Sequence, residues 1–329
     1  LTDSFTISSQ HAGLRLQDVL AARYPTYSVG SLLRRLAGGD VLVNGTPATR
    51  RRLVHEGDLV EVDIPDETMR RVEPHPLPLA VLYEDEFCIV INKPPGLATV
   101  PESDAEDYPL MSGLLQYLAH GSPYATGELI RPMIVHRLDK DTTGALVVAK
   151  SLDAMRRLTQ QFVQRSVSKE YLAVVRGDPP DETTIDIGIT ARRVKGGRAK
   201  IDARHGRPAV TDIRTEERFR GFALVRAIPR TGRTHQVRLH LKAAGFPLAA
   251  DPLYSNAALY LSELKAGYRP KPGRPERPLI ARQSLHAHRI GFETVCGGTV
   301  KDVTVEAPLP DDMAVVLKML RKYRTAGAR

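Results

Sequence analysis

From residue 87 to residue 308 short apolar runs bounded by turn residues arrive in neighbouring groups, not one strand per helix. FCIVIN (87–92), MIVH (133–136), ALVVA (145–149), KEYLAVV (169–175), FALVRAI (222–228), SLHAHRIGF (284–292) and TVKDVTVEAP (299–308) each have strand length and β-branched content. Helical spacing interrupts them after Ser151, a capping residue, where Leu152, Met155, Leu158 and Phe162 share a face. THQVRLHLKAAG (234–245) and DDMAVVLKMLRKYR (311–324) supply two more helices. Strict alternation would build a doubly wound parallel sheet. This order predicts an α+β fold with a mixed, mostly antiparallel sheet.

The first 65 residues read as a smaller α/β unit. In LRLQDVLAARY (14–24), Leu16, Val19, Leu20 and Arg23 are spaced for a helix that Pro25 stops. Ser28 caps a second helix carrying Leu32, Leu33 and Leu36, and Gly38-Gly39 ends it. Asn44-Gly45 is a tight-turn signal between two short strands, and LVEVDI (59–64) closes a small sheet. The polar, proline-rich stretch 66–79 follows. The expected organisation is a module at 1–68, a linker at 69–78 and a larger domain at 79–329, with the larger domain folding without the module. Residues 255–283 are longer than a minimal connection, and 266–278 read as a basic loop.

Lys and Arg total 47 against 38 Asp and Glu, a net charge of +9, which suggests a polyanionic partner. The excess is local. Residues 13–55 hold seven Arg, among them Arg34, Arg35, Arg50, Arg51 and Arg52, against two Asp. Residues 190–242 hold fifteen Lys/Arg against four acids. Two basic blocks suit two surfaces on one extended anion. The two cysteines, Cys88 and Cys296, lack metal-ligand spacing and fit a reducing, cytoplasmic setting. No apolar run has the length of a membrane span, and LTDSFTISSQ has no signal-peptide pattern. The chain starts at Leu1, not Met, so residues ahead of it are expected.

Charge is densest in HRLDKDTTG (136–144), directly ahead of the strand ALVVA. Asp139 would sit at a strand mouth as nucleophile, general base or metal ligand; as an isolated Asp it would more simply make a turn or pair with Arg137 or Lys140. TGRTHQVRLHL (231–241) is the second constellation, clustering Arg233, His235, Arg238 and His240 within two turns. Arg233, freed by the preceding Gly232, could aim a bidentate fork at a carboxylate or phosphate. DKDTT also fits D-x-D-x-T, the motif of Mg²⁺-dependent aspartate-nucleophile phosphatases, although that motif belongs after the first strand of a parallel fold. A non-catalytic RNA-binding protein is a third reading.

HRLDKDTTGALVVAK resembles the signature of the RluA-type pseudouridine synthases. INKPPGLATVP (91–101), KEYLAVV, TGRTHQVRLHL, DPLY (251–254) and SLHAHRIGF follow in that family's order. Residues 14–64 resemble the ribosomal-protein S-four type RNA-binding module. Ala250 departs from the Gly the family has ahead of DPLY. The resemblance implies conversion of uridine in RNA to pseudouridine, without metal or cofactor, by a monomer. It implies large-subunit ribosomal RNA as substrate, transfer RNA being second. Asp139 matches the essential aspartate, Arg233 its arginine partner and Tyr171 the aromatic under the target base. His136, Arg137, His235 and Arg238, with the module arginines, would contact RNA. Asp139 would need to stay ionised in a water-poor pocket, which requires a fixed cation beside it.

Overall fold

The computed structural model describes residues 2–63, 71–100, 109–190, 199–269 and 273–325. Two sheets divide the chain. The first combines β1 (Thr2–Thr6), β2 (Val41–Val43), β3 (Thr46–Pro47) and β4 (Leu59–Asp63) in the antiparallel order β1-β4-β2-β3. Helices α1 (Leu16–Arg23) and α2 (Val29–Gly38) pack on it. Alternation decides which face they cover: Val41, Val43, Val60 and Val62 are buried together with Leu16, Leu20, Leu32 and Leu36. Ser28 Oγ accepts from Ser31 N at 3.1 Å, a cap of the kind that contributes about 1 kcal/mol, and Gly39 ends α2 in the left-handed conformation. β1 had no expectation behind it.

The second sheet contains β5 (Val81–Glu84), β6 (Cys88–Lys93), β7 (Met133–Ile134), β8 (Thr143–Ala149), β9 (Ser168–Arg176), β10 (Glu182–Asp186), β11 (Val210–Phe219), β12 (Phe222–Pro229), β13 (Leu285–Cys296) and β14 (Thr299–Glu306). Their main order is β10-β11-β12-β9-β13-β8-β6-β5, with β14 on β13 and β7 on β8. The helices are α3 (Pro109–Gln116), α4 (Leu152–Gln164), α5 (Gln236–Ala243), α6 (Leu261–Leu264) and α7 (Asp311–Tyr323). The expected α+β class, with a mostly antiparallel sheet, is what the chain adopts. β8 is buried along its whole length because both faces are covered. Ala145, Val147 and Ala149 join α4 on one side, and Leu146 and Val148 join α3 and β6 on the other.

The only parallel contact among these strands is β8 against β13, and it lasts two residue pairs, Thr143 with His286 and Gly144 with Ala287. Gly144 has φ +116°, and a Cβ there would lie 2.1 Å from the Ala287 carbonyl oxygen. Glycine is what lets the backbones meet. Across the same junction His286 Nδ1 and Thr143 Oγ1 are 2.9 Å apart. The turn 136–142 therefore leaves the sheet where its two halves join.

The small module is not loosely tethered. One apolar cluster runs from its helices and strands into β6, β8, α4 and β13. Arg131, buried, donates to Pro25 O at 2.9 Å and Tyr27 O at 2.6 Å, and Val72, also buried, donates its N–H to Thr26 O at 2.5 Å. These contacts weigh against the expectation that the larger domain folds without the module, since losing the module would strip a buried guanidinium of two acceptors. Of the stretch read as a linker, residues 69 and 70 lie outside the described residues. The 255–283 segment docks through Leu259, Leu264 and Ile280 onto α7; residues 270–272 of its basic loop lie outside the described residues. Among the described residues no helix is long and apolar enough to cross a membrane.

Gly144→Ala should lower the unfolding free energy by at least ~3 kcal/mol, because it combines a left-handed strain with a backbone collision. Urea titration checks this; a change within ~0.5 kcal/mol would show that β8 and β13 do not need this approach.

Candidate active site

A cleft of about 820 Å³ opens beside the β8–β13 junction, lined by the turn after β7, by β9, by the β12–α5 turn and by the start of α5. Three sequence features converge there. The β8–β13 junction fixes the base of the turn carrying Asp139. The β9 register places Tyr171 between two small residues, Ala227 on β12 and Ala287 on β13, so its ring is not crowded by cross-strand neighbours. Residues 230–235 lead from β12 into α5, whose first turn faces Asp139.

The centre of the site is one arginine held by two carboxylates. Arg238 Nη1 donates to Asp139 Oδ2 at 2.8 Å. Its Nε and Nη2 make a bidentate pair with Asp251 at 2.8 and 2.7 Å. Asp251 also accepts from the backbone N–H of Leu253 at 3.0 Å. Arg238 and Asp251 are 3% and 1% exposed, whereas Asp139 is 27% exposed. Burial alone would lower the Arg238 pKa, but Asp251 and Asp139 outweigh it and push the pKa up. The cation is thus fixed and permanent, with Asp251 anchoring it from behind and Asp139 presented towards the cleft. Asp139 Oδ1, the oxygen that Arg238 does not take, lies 3.8 Å from His235 Nε2.

Arg233 does not partner Asp139. It precedes α5, and its Nε donates to Pro208 O at 3.1 Å while its backbone N–H donates to Gln236 Oε1 at 3.0 Å. Arg238, read from sequence as an RNA contact, is the buried partner instead. The physical reason is the helix start: α5 begins at Gln236, so position 238 turns inward while position 233 stays on the cleft wall. All six residues 236–241 are buried, which erases the one-sided pattern by which a sequence reveals a helix face. His235 does line the cleft, beside Asp139. It has φ +56° at the N-cap of α5, and its Nδ1 is 2.7 Å from the Tyr254 hydroxyl. His136 also lines the cleft, but its ring stacks on Phe162 and its Nε2 accepts from Val147 N at 2.9 Å. Burial, reinforced by Lys169, drives its pKa down to about 3, so it is a neutral acceptor tying the turn to β8. Arg137 is exposed at the mouth, where its Nη2 donates to Thr234 Oγ1 at 2.9 Å.

Tyr171 lines the same cleft, and burial together with the Asp139 charge raises its phenol pKa, keeping it neutral. Lys93, absent from the expected site, underlies the turn. Fully buried, its Nζ donates to Pro94 O, Leu97 O and Lys140 O at 2.8, 2.9 and 2.8 Å, binding the KPPG loop to the Asp139 turn. Burial pushes its pKa down to about 7, with Asp141 and then Asp139 opposing. Three carbonyl acceptors match the three protons of an ammonium. INKPPG contains Lys93, but a lysine between a strand and two prolines reads as a surface residue until the fold encloses it.

On the small module Arg50 and Arg51 are exposed, as is Arg34, whose Nη2 donates to Ser31 Oγ at 2.8 Å. Arg35 is paired with Asp40 at 2.9 Å and Arg52 with Asp58 at 3.5 Å, so these two approach an anion only in competition with an acid already present.

An Asp–Arg–Asp chain with a buried guanidinium, beside an aromatic-walled cleft, is a site for steering charge on a polar substrate. The family model for RNA pseudouridylate synthase matches residues 87–243, which include Asp139, Tyr171 and Arg238. Ribosomal large subunit pseudouridine synthase D of Neisseria meningitidis is 36% identical over 96% of this chain and 81% of that protein. The chain belongs to the RNA pseudouridine synthases. This synthase is also 35% identical to the Bacillus subtilis uncharacterized RNA pseudouridine synthase YlyB, over 96% of this chain and 97% of that one. Human RNA pseudouridylate synthase domain containing 4 superposes with a TM-score of 0.54 at 25% identity, covering 74% of this chain and 93% of the human one. The phosphatase reading of DKDTT fails on the same ground: the motif sits in the middle of a mixed sheet, within the matched synthase segment.

Arg238→Lys should reduce pseudouridine formation by ~100-fold or more, since a point charge cannot hold both carboxylates and breaking a buried pair costs about 3–5 kcal/mol. Arg233→Lys should cost less than ~10-fold, because its charge survives and Asp139 keeps its partner. Single-turnover rates on one RNA decide between them, and the reverse ranking would restore Arg233 as the partner.

Proposed function

We propose that this synthase isomerises uridines in large-subunit ribosomal RNA, in the cytoplasm, and that Asp139 acts at the ribose of an extruded nucleotide. The observation that carries the substrate is that relatives named ribosomal large subunit pseudouridine synthase D align with 96% of this chain at 36% identity. Transfer RNA is the second candidate substrate. In the reaction the N1–C1′ bond breaks, the base turns, and a C5–C1′ bond forms; C5 loses a proton and N1 gains one. Nothing is oxidised or reduced. Asp139 either attacks C1′ or removes a proton from C2′, and both roles use the Oδ1 atom that Arg238 leaves unclaimed. Tyr171 offers its ring to the extruded uracil, restoring about 1–3 kcal/mol of the stacking lost in RNA. Arg137, Arg233 and His235 form the cationic and polar rim at the ribose and neighbouring phosphates. The module of residues 1–68 supplies a second RNA contact through Arg34, Arg50 and Arg51.

Asp139→Asn should abolish pseudouridine formation while leaving RNA affinity within a few-fold, because shape is kept and only charge is lost. The assay maps pseudouridines in ribosomal and transfer RNA transcripts treated with wild type or variant. Product in transfer RNA alone would overturn the ribosomal assignment, and turnover by the variant would remove Asp139 from the chemistry.

Replacing Arg50 and Arg51 together by Ala should flatten the slope of log affinity against log salt by ~1.4–1.8, at 0.7–0.9 per phosphate contact. The rate on saturated enzyme should not change. An unaltered slope would mean that this arm does not touch RNA phosphates.

A further inference from the structure

His235 holds a backbone conformation that needs a reason. Three non-glycine residues among those described have positive φ: Asn44, Arg165 and His235. Asn44 makes the two-residue hairpin turn and Arg165 ends α4, both ordinary sites for left-handed backbone. His235 is a helix N-cap, where extended backbone and a capping side chain are the rule, and its side chain makes no cap hydrogen bond. The strained backbone instead delivers the imidazole to Asp139. Unusual backbone of this kind concentrates where a side chain must be aimed.

We propose that His235 reads the 2′-hydroxyl of the target ribose, donating a hydrogen bond from Nε2 while that hydroxyl donates to Asp139 Oδ1. This inference rests on the assignment of Asp139 to the ribose. Tyr254 sets the imidazole tautomer. Its hydroxyl accepts the Ala199 N–H at 3.1 Å and has a single proton to give. In the proposed arrangement that proton goes to His235 Nδ1, 2.7 Å away, and not to Ala199 O at 3.2 Å. Nδ1 is then the acceptor, and the ring proton sits on Nε2, facing the carboxylate. The opposite tautomer would aim a lone pair at Asp139. The Tyr254 ring also lies under Arg238, 5.0 Å from the guanidinium carbon, so the group that orients His235 is braced by the cation that holds Asp139.

The 3.8 Å between Nε2 and Oδ1 is too long for a direct hydrogen bond. An oxygen about 2.8 Å from each atom fits between them as the apex of a triangle. That oxygen must accept from an N–H and donate to a carboxylate, which is what a hydroxyl does. Whether Asp139 attacks C1′ or takes a proton from C2′, the sugar hydroxyl next to it is the one on C2′. Deoxyribose has nothing to place there, so the pair Asp139–His235 selects RNA at the reacting nucleotide itself.

The test uses two RNA fragments spanning a uridine that the wild-type enzyme modifies, identical except that one carries 2′-deoxyuridine at that position. Equilibrium affinities are measured for wild type, His235→Asn and Tyr254→Phe. Asn tolerates the left-handed backbone but is too short to reach both Tyr254 and the ribose. Wild type should prefer the all-ribose fragment by about tenfold, the worth of one hydrogen bond to a charged or polarised group. In His235→Asn the preference should fall several-fold, because only the bond from the hydroxyl to Asp139 Oδ1 remains, and the all-ribose fragment should lose more affinity than the deoxy fragment. Tyr254→Phe keeps the ring under Arg238 but frees the tautomer, and its preference should fall part-way; it decides the matter if His235→Asn does not fold. A purely structural histidine would weaken both fragments equally and leave the tenfold ratio intact, which would falsify the proposal. So would a wild-type enzyme with no preference. Failure of wild type to convert any uridine in large-subunit ribosomal RNA, from which the fragments are to be cut, would instead strike the ribosomal RNA assignment.

Discussion

The Arg238 guanidinium shared between Asp139 and Asp251 is the interaction around which the site is assembled. A cation with 3% exposure is costly to bury, and it persists because two carboxylates and the Tyr254 ring surround it. The arrangement is asymmetric in a useful way. Asp251 accepts two bonds at a dry position and anchors the fork, and Asp139 accepts from the remaining arm while keeping one oxygen towards the cleft. Had both acids been equally buried, neither could reach a substrate. Had both been exposed, solvent would screen the fork and leave Asp139 free to rotate.

The fold is arranged to bring these three residues together from distant parts of the chain. Asp139 comes from the turn before β8, Arg238 from the first turn of α5 and Asp251 from the loop that follows it. The β8–β13 junction fixes the first of these, because Gly144 allows a backbone approach that no other residue would allow. Lys93 fixes the same turn from below, gathering the carbonyls of Pro94, Leu97 and Lys140 on one buried ammonium. The turn is therefore held at both ends before any substrate arrives, and preorganisation of this kind removes an ordering cost from the reaction.

Much of this was legible in the chain. Short apolar runs in neighbouring groups gave the α+β class, since strand length and β-branched content survive in any context. Capping at Ser28 and Ser151, and the Asn44-Gly45 turn, depend on local backbone chemistry and appear where expected. The ordered motifs identified the family and singled out Asp139 and Tyr171, because each motif keeps its residues contiguous. The choice between Arg233 and Arg238 was not legible. Both lie in one motif five positions apart, and the burial of α5 on every side removes the periodicity that would have told which one faces inward.

What the sequence by itself determined, then, is everything set by neighbours within a turn or a strand: element type, caps, the tight hairpin, and the contiguous motifs that carry the reaction class. Tertiary structure alone decided which charges pair. Asp139, Arg238 and Asp251 span 113 residues of chain, and their meeting depends on sheet register and on where α5 begins. The same holds for Lys93, which the fold encloses, for His136, whose ring is turned onto Phe162, and for the seat of the small module, where Arg131 is buried. A side chain's charge is written in the sequence, but its partner is chosen by the backbone that brings the two within 3 Å.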